Sequence, residues 1–139
     1  MANTLKLEIV TPTAKVFSDD VEMVTLPGAE GEMGIYPHHA PLMTQIVPGE
    51  IIARKGGEDI FLAVGEGFVE ITAERVAILA DMAVTAENID ETQAEEARRR
   101  AEARLAQQLD AEEMAVVQAA LAKSLVQIRV KRHRGHHHR

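Results

Sequence analysis

The chain has no cysteine, no tryptophan and a single tyrosine among its 139 residues. Without cysteine there is neither a disulfide scaffold nor a thiol nucleophile, and the composition agrees with a reducing compartment. No apolar run approaches the roughly 18–20 residues that a membrane span requires. The start, MANTLKLEIV, lacks the charged head and long apolar stretch of a secretory signal. These absences lead to the expectation of a soluble, cytoplasmic protein. Catalytic signatures are missing too. There is no Walker-type phosphate loop, no His-Glu-x-x-His zinc motif and no Gly-x-Ser-x-Gly elbow. Gly65-Glu66-Gly67 is too short for a dinucleotide fingerprint and suits a turn or close strand packing.

Charge is present but unevenly placed. Residues 1–88 carry five Lys/Arg against fourteen Asp/Glu, and residues 89–139 carry ten against eight. An acidic body excludes nucleic acid as its partner, because phosphate contacts need a basic face. The asymmetry points to two regions with different surroundings.

The first region reads as β. Leu5, Leu7 and Ile9 alternate with Lys6 and Glu8, and Val21, Met23 and Thr25 alternate with Glu22 and Val24. Short β-branched runs follow at 42–47, 50–54, 60–64, 68–72 and 76–80, separated by Pro48-Gly49, Gly56-Gly57 and Gly65-Glu66-Gly67. Arg54 to Asp59, with two central glycines, has the composition of a hairpin tip. Many short strands at close spacing predict a small antiparallel sandwich or barrel.

Pro27 to Pro41, PGAEGEMGIYPHHAP, interrupts that pattern. Its glycines and prolines predict an ordered, shaped loop rather than a strand or helix. Met33, Ile35 and Tyr36 sit at its centre, flanked by Glu30, Glu32, His38 and His39. Two readings stand: a functional surface loop, or a core-plugging loop with Ile35 and Tyr36 turned inward. His38 or His39 beside Glu30 or Glu32 could act as a general base. No nucleophile or oxyanion site accompanies them, and adjacent loop histidines point in different directions, so a surface contact is favoured.

Composition changes near Thr85, where alanine, glutamate and arginine take over. Asn88 with Glu91 three residues on reads as one capping box, and Asp110 with Glu113 as a second. Ala94, Ala97, Ala101 and Leu105 share one face of a first helix. Met114, Val117, Leu121, Leu125 and Ile128 share one face of a second. Together they predict an αα-hairpin with a thin alanine seam, marginal alone, which rests against the β-region or a partner. Arg98, Arg99, Arg100 and Arg104 could bind phosphate. The plainer reading pairs them with Glu95, Glu96 and Glu102 on a solvated helix face. KRHRGHHHR at 131–139 reads as a frayed basic tail, where three adjacent histidines cannot share a helical metal site.

These pieces resemble a family. The β-region of about 85 residues, the run Gly31-Glu32-Met33-Gly34-Ile35-Tyr36-Pro37 followed by His39-Ala40-Pro41-Leu42, VAILAD at Val76–Asp81, and the Ile89-Asp90 entry into an Ala/Arg-rich hairpin resemble the epsilon subunit of F-type ATP synthases. The resemblance implies an α+β fold: an N-terminal antiparallel β-sandwich over residues 1–85, then an antiparallel two-helix hairpin over 86–130, with the tail beyond. It implies a non-catalytic rotor subunit of the central stalk that joins the gamma subunit to the c-subunit ring, peripheral to the cytoplasmic face of the membrane. The ring-facing loop would comprise Gly28, Glu30, Gly31, Glu32, Gly34, Ile35, Tyr36, His38 and His39, with Ile35 and Tyr36 shaping it.

In bacterial members the hairpin either folds against the sandwich or extends into the catalytic head and blocks hydrolysis. Its basic residues, here Arg98, Arg99, Arg100, Arg104, Lys123 and Arg129, would then face acidic residues of the beta subunits in the head of alpha and beta subunits. Some members bind ATP through an Ile/Leu-Asp-x-x-Arg-Ala motif. This chain keeps Ile89, Asp90, Ala94 and Arg100 but has Gln93 for the arginine, and Lys123 and Gln127 on the second helix. Glutamine brings no charge and lysine no planar fork, so weak or absent ATP binding is expected. No cofactor or metal is called for. Two other readings compete: a stand-alone nucleotide-sensing module, weakened by the same residues, and a small enzyme using His38 or His39.

Overall fold

The computed structural model describes residues 3–137. Ten strands come first: β1 (Leu5–Val10), β2 (Lys15–Val21), β3 (Met23–Gly28), β4 (Gly31–Ile35), β5 (Leu42–Ile46), β6 (Gly49–Lys55), β7 (Glu58–Val64), β8 (Gly67–Ile71), β9 (Arg75–Ala80) and β10 (Ala83–Thr85). They pair in the order β10-β7-β6-β3-β5-β8-β9-β1-β2, with β4 added to β3. Every pairing is antiparallel except β1 with β9, which are parallel and far apart in sequence, as a parallel pair must be. The path folds over one core in which Leu5, Leu7 and Ile9 of β1 meet Ile51, Leu62, Val69 and Ile78. The alternation of β1 is the period-two pattern of a half-buried strand.

Four strands depart from the sequence expectation: β2, β3, β4 and the short β10, which no expected run covered. Lys15–Val21 was not visible as a strand. It pairs only with β1, and its middle, Ser18-Asp19-Asp20, is polar because this strand ends the sheet path. The alternation expected for Val21, Met23 and Thr25 breaks at Glu22, which belongs to neither strand and donates its backbone N–H to Arg54. Beyond that single-residue break the parity reverses, so β3 buries Val24 and Leu26 instead.

The stretch expected to be a loop contains β4. Gly28 pairs with Gly31, so β3 and β4 form a hairpin whose tip is Ala29-Glu30. Gly31 sits at φ 128°, an angle that side-chain-bearing residues avoid, and a Cβ on Gly28 would lie 2.8 Å from the Gly31 carbonyl oxygen. The glycines of this stretch therefore mark a tight hairpin, and only the tip Ala29-Glu30 and Tyr36 to Pro41 lie outside strands.

After β10 a single 3₁₀ turn, Ala86–Asn88, leads to α1 (Glu91–Leu105) and α2 (Ala111–His137). Asp90, not Asn88, caps α1, accepting a bond from the Gln93 N–H, because Asn88 is spent in the 3₁₀ turn. Asp110 and Glu113 form the expected reciprocal box: the Glu113 N–H donates to the Asp110 carboxylate at 2.8 Å, and the Asp110 N–H to Glu113 at 3.3 Å. Residues 131–137 continue α2 instead of fraying, and residues 138–139 lie outside the described residues. The continuation has a cause, since Lys131, Arg132, His133 and Arg134 all find partners in the body of the protein.

The hairpin lies on the β-body through a second core. Val126 and Val130 pack on Phe61, Ala63, Ala86 and Ile89. Leu125, expected on the buried face, is 47% exposed. The buried positions are Ser124, Val126, Ile128 and Val130, since α2 must satisfy both α1 and the sheet. Residues 111–120 bury no side chain, so the distal half of α2 projects past the sandwich with α1 alone beside it.

Candidate functional site

The residues expected to form one loop surface occupy two ends of the sandwich. Ile46 pairs with both Gly28 and Gly67, so the β3–β4 tip lies beside the start of β8. His38 donates its backbone N–H to Ala73, in the turn after β8, at 2.6 Å. A five-residue strand separates the two ends by roughly 17 Å. Glu30, Gly31 and Glu32 are therefore exposed at one end, and His38 and His39 lie at the other. No histidine–carboxylate couple of the kind considered above can form.

Ile35 is buried in the main core, and Gly28 is buried too, so both shape the hairpin rather than face outward. Tyr36 is 60% exposed and lines an open groove of about 1050 Å³ with Asn3, Arg54 and Lys55. The inward reading is thus right for Ile35 and wrong for Tyr36. Parity explains the split, because adjacent residues at a strand end point to opposite faces. Gly34 is exposed on the outer side of β4.

His38 holds the one positive φ outside glycine among the described residues, 69°. Its Nε2 lies 3.2 Å from the Asn3 side-chain oxygen. His39 Nδ1 donates to the Ala40 carbonyl at 2.6 Å. In the groove, Lys55 bonds to Asp19 and holds that carboxyl below its usual range.

A surface that sequence reasoning missed lies on β5, β8 and β9. Phe68 and Leu79 are direct cross-strand partners, and Met43 is a diagonal neighbour opposite Glu70. All three point to solvent, Met43 at 69%, Phe68 at 60% and Leu79 at 55% exposure. The signal existed: in Phe68-Val69-Glu70-Ile71 the buried pair is Val69 and Ile71, which leaves Phe68 on the outer face.

Residues 4–86 match the family model for the β-sandwich domain of the ATP synthase delta/epsilon chain, and residues 87–132 match its long α-helix domain. The chain belongs to the ATP synthase delta/epsilon chain family. It is 46% identical over 134 residues to the ATP synthase epsilon chain of Dehalococcoides mccartyi, covering 96% of each. It is 46% identical over 126 residues to that of Chloroflexus aggregans, covering 91% of each. Its fold resembles a chain of the Euglena gracilis mitochondrial ATP synthase (OSCP/F1/c-ring) at TM-score 0.73 and 24% identity, covering 88% of this chain and 78% of that one.

Within this delta/epsilon fold the six basic candidates divide by pairing. Arg98 bridges Glu95 at 2.7 Å and Glu102 at 2.9 Å, which lowers the Glu95 carboxyl's affinity for protons and raises that of Arg98. Arg104 reaches Glu113 across the hairpin turn at 3.3 Å. Lys123 crosses to Asp81, in the turn before β10, at 3.1 Å. Arg99, Arg100 and Arg129 make no ion pair among the described residues.

The nucleotide-motif residues surround a cleft of about 510 Å³ between the helices and the end of β10. Gln93, Ala94, Arg100 and Gln127 line it. Ile89 does not, being buried in the second core. The Asp90 carboxylate is engaged as the α1 cap, and Lys123 is turned to Asp81. Glu96 also lines the cleft, which leaves one cation, Arg100, facing two carboxylates. That charge set opposes a polyphosphate.

Proposed function

We propose that this chain is a rotor subunit in the central stalk of a proton-translocating F-type ATP synthase, joining the gamma subunit to the c-subunit ring and restraining ATP hydrolysis through its hairpin. The observation that carries this reading is the match of both domains in order, with relatives named ATP synthase epsilon chain along 96% of the chain. The chain acts without catalytic residues of its own. It reaches the membrane as a peripheral component at the cytoplasmic face, and no described helix is long and apolar enough to cross a bilayer.

The tip and the apolar sheet face beside it take different partners in this reading. The tip with Glu30, Gly31 and Glu32 meets the polar loops of the ring, where charges set register more than affinity, and Gly34 lies further along β4, behind that contact. The Met43, Phe68 and Leu79 row holds gamma, because a contiguous apolar patch on a sheet face is what an obligate partner buries. Tyr36, His38 and His39 lie away from the tip and are not part of the ring contact. Arg99, Arg100 and Arg129 are free to meet acidic residues of the beta subunits; Arg104 and Lys123 follow once the hairpin extends, whereas the Arg98 pairs lie within α1 and stay with it. No observation favours the stand-alone nucleotide-sensing reading.

The test is ATP hydrolysis by a complex of alpha, beta and gamma, with the full chain and with a version ending at Asn88. Suppression by the full chain alone, with both versions bound, supports an inhibitory arm. Binding without suppression by either reduces the role to coupling. Absence of binding by the full chain defeats the reading.

A further inference from the structure

The end of α2 carries four consecutive side chains that each contact something other than α2. Lys131 Nζ donates to the Ala86 carbonyl at 2.9 Å. Arg132 reaches Glu95 at 2.9 Å and Glu91 at 3.5 Å on α1. His133 Nδ1 lies 2.8 Å from the Glu50 carboxylate on β6, and its ring tilts against Phe61 with centroids 4.8 Å apart. Arg134 reaches Glu87 at 3.5 Å. A carboxylate only accepts, so the His133 ring nitrogen must donate to Glu50. Three of the four contacts end on the sandwich or the turn that leaves it, and among the described residues the other ion pair between α2 and the sandwich is Lys123 with Asp81.

This segment sits where the delta/epsilon helix model stops. The family match ends at residue 132, so His133 and Arg134 lie beyond it. Four adjacent residues span about one turn of a helix, and from that turn these reach α1, β6 and the 3₁₀ turn. A solvated tail would have no reason to find a carbonyl, a carboxylate and an aromatic ring at hydrogen-bonding or ring-contact distance within one turn.

We propose that Lys131–Arg134 is a latch that holds the helical hairpin closed on the sandwich, acting beside the Val126 and Val130 contacts, so that its removal favours the released hairpin. The proposal rests on the reading that this hairpin leaves the sandwich. The latch is polar and partly exposed, so each contact shifts the closed–open equilibrium by only about two- to five-fold. The set acts together because one helix turn carries it.

Rare opening can be counted in the full chain, which has no native cysteine. Ala63 is fully buried beneath α2, and Ala53 is fully buried in the main core. A single Ala63→Cys reports hairpin opening through its rate of thiol labelling, and Ala53→Cys in a separate chain reports global unfolding. We expect Glu50→Gln and His133→Ala each to speed labelling at position 63 by about two- to five-fold, and the double variant to match either single. A chain ending at Val130 should label about ten-fold faster or more at position 63, and in every variant position 63 should label faster than position 53, because the hairpin opens without unfolding the sandwich. Equal rates at position 63 in all variants would overturn the latch, as would labelling at position 63 no faster than at position 53, which would mean that α2 leaves only when the sandwich unfolds. Binding to gamma is scored separately. If the full chain does not bind while the labelling pattern holds, the rotor reading fails and the latch stands. If it binds and suppresses hydrolysis while labelling is unmoved, the latch alone fails.

Discussion

Gly65 faces Asp81 so closely that a Cβ on Gly65 would lie 2.0 Å from the Asp81 Oδ1 and 3.4 Å from the Lys123 Cε. The absence of a side chain at one position thus lets a carboxylate on a neighbouring turn reach a lysine on the hairpin. The nearest clash is with the far end of an exposed side chain, which can swing away. Gly65→Ala should therefore cost only the Lys123–Asp81 pair, about 1 kcal/mol or less, and loosen the hairpin without harming the sandwich. Gly67 is different. A Cβ there would meet the Leu79 carbonyl oxygen at 2.0 Å and the Ala80 Cα at 2.8 Å, which are backbone. Gly67→Ala should cost about 3 kcal/mol or more, because two strands must separate. Denaturant melts of the two variants, read at the sheet and at the helices, check the contrast.

The turn of the hairpin should respond to acid. The backbone N–H of Glu113 holds the Asp110 carboxyl below its usual range. A carboxyl depressed on folding contributes stability above its unfolded value, and that stability is lost as pH falls through the folded value. Helicity should therefore decline through the lower part of the carboxylate range and below it. Asp110→Asn keeps a good cap without the charge, so its helicity should vary less over that interval. Parallel circular-dichroism titrations would expose the difference, and coincident curves would deny it.

Replacing His38 should stabilise the sandwich. Its φ of 69° is one that a β-carbon resists, at a cost of about 1–2 kcal/mol, and glycine gives back part of that gain as chain entropy. His38→Gly should raise the midpoint of thermal unfolding by about 2 °C. If the histidine is retained for a contact at that end of the sandwich, affinity for gamma should fall in the same variant. A lower midpoint would mean that the bond to Asn3 outweighs the strain.

The cleft between the helices should hold ATP poorly. Titration calorimetry of the isolated chain with magnesium ATP should show no saturation below the millimolar range, about 4 kcal/mol of binding. Gln93→Arg combined with Glu96→Gln should tighten it by at least about ten-fold, since two changes turn a net acidic lining into a basic one. Tight binding by the unmodified chain would show that the cleft rearranges around the nucleotide.

The parts legible in the sequence were those encoded locally. Leu5, Leu7 and Ile9 announce a strand by alternation, Gly56 and Gly57 a turn by positive φ, and Asp110 with Glu113 a cap by spacing. What stayed hidden depends on parity or on distant partners. One residue outside the ladder, Glu22, reverses which side chains of β3 are buried, and no window of β-propensity registers it. Glycine in Pro27–Pro41 reads as loop, although here it allows the tight tip of a strand pair. His133 and Glu50 are eighty-three positions apart, and nothing local marks either as the other's partner. The resemblance supplied the architecture and order of domains. It did not supply the separation of Glu30 from His38, because a motif written in one line carries no information about which end of a sheet each residue occupies.

The projecting half of α2 gives the hairpin mechanical advantage. The docking contacts cluster near Val126 and Val130, close to where the chain leaves the sandwich, and the turn at Asp110 stands free at the other extreme. From Ala111 to Val126 the helix supplies an arm of about 22 Å. A partner that grips the turn applies torque about the 3₁₀ segment instead of pulling against every contact in parallel. Opening as proposed would then proceed as a tilt, and the docking patch would be released by a force applied at a distance.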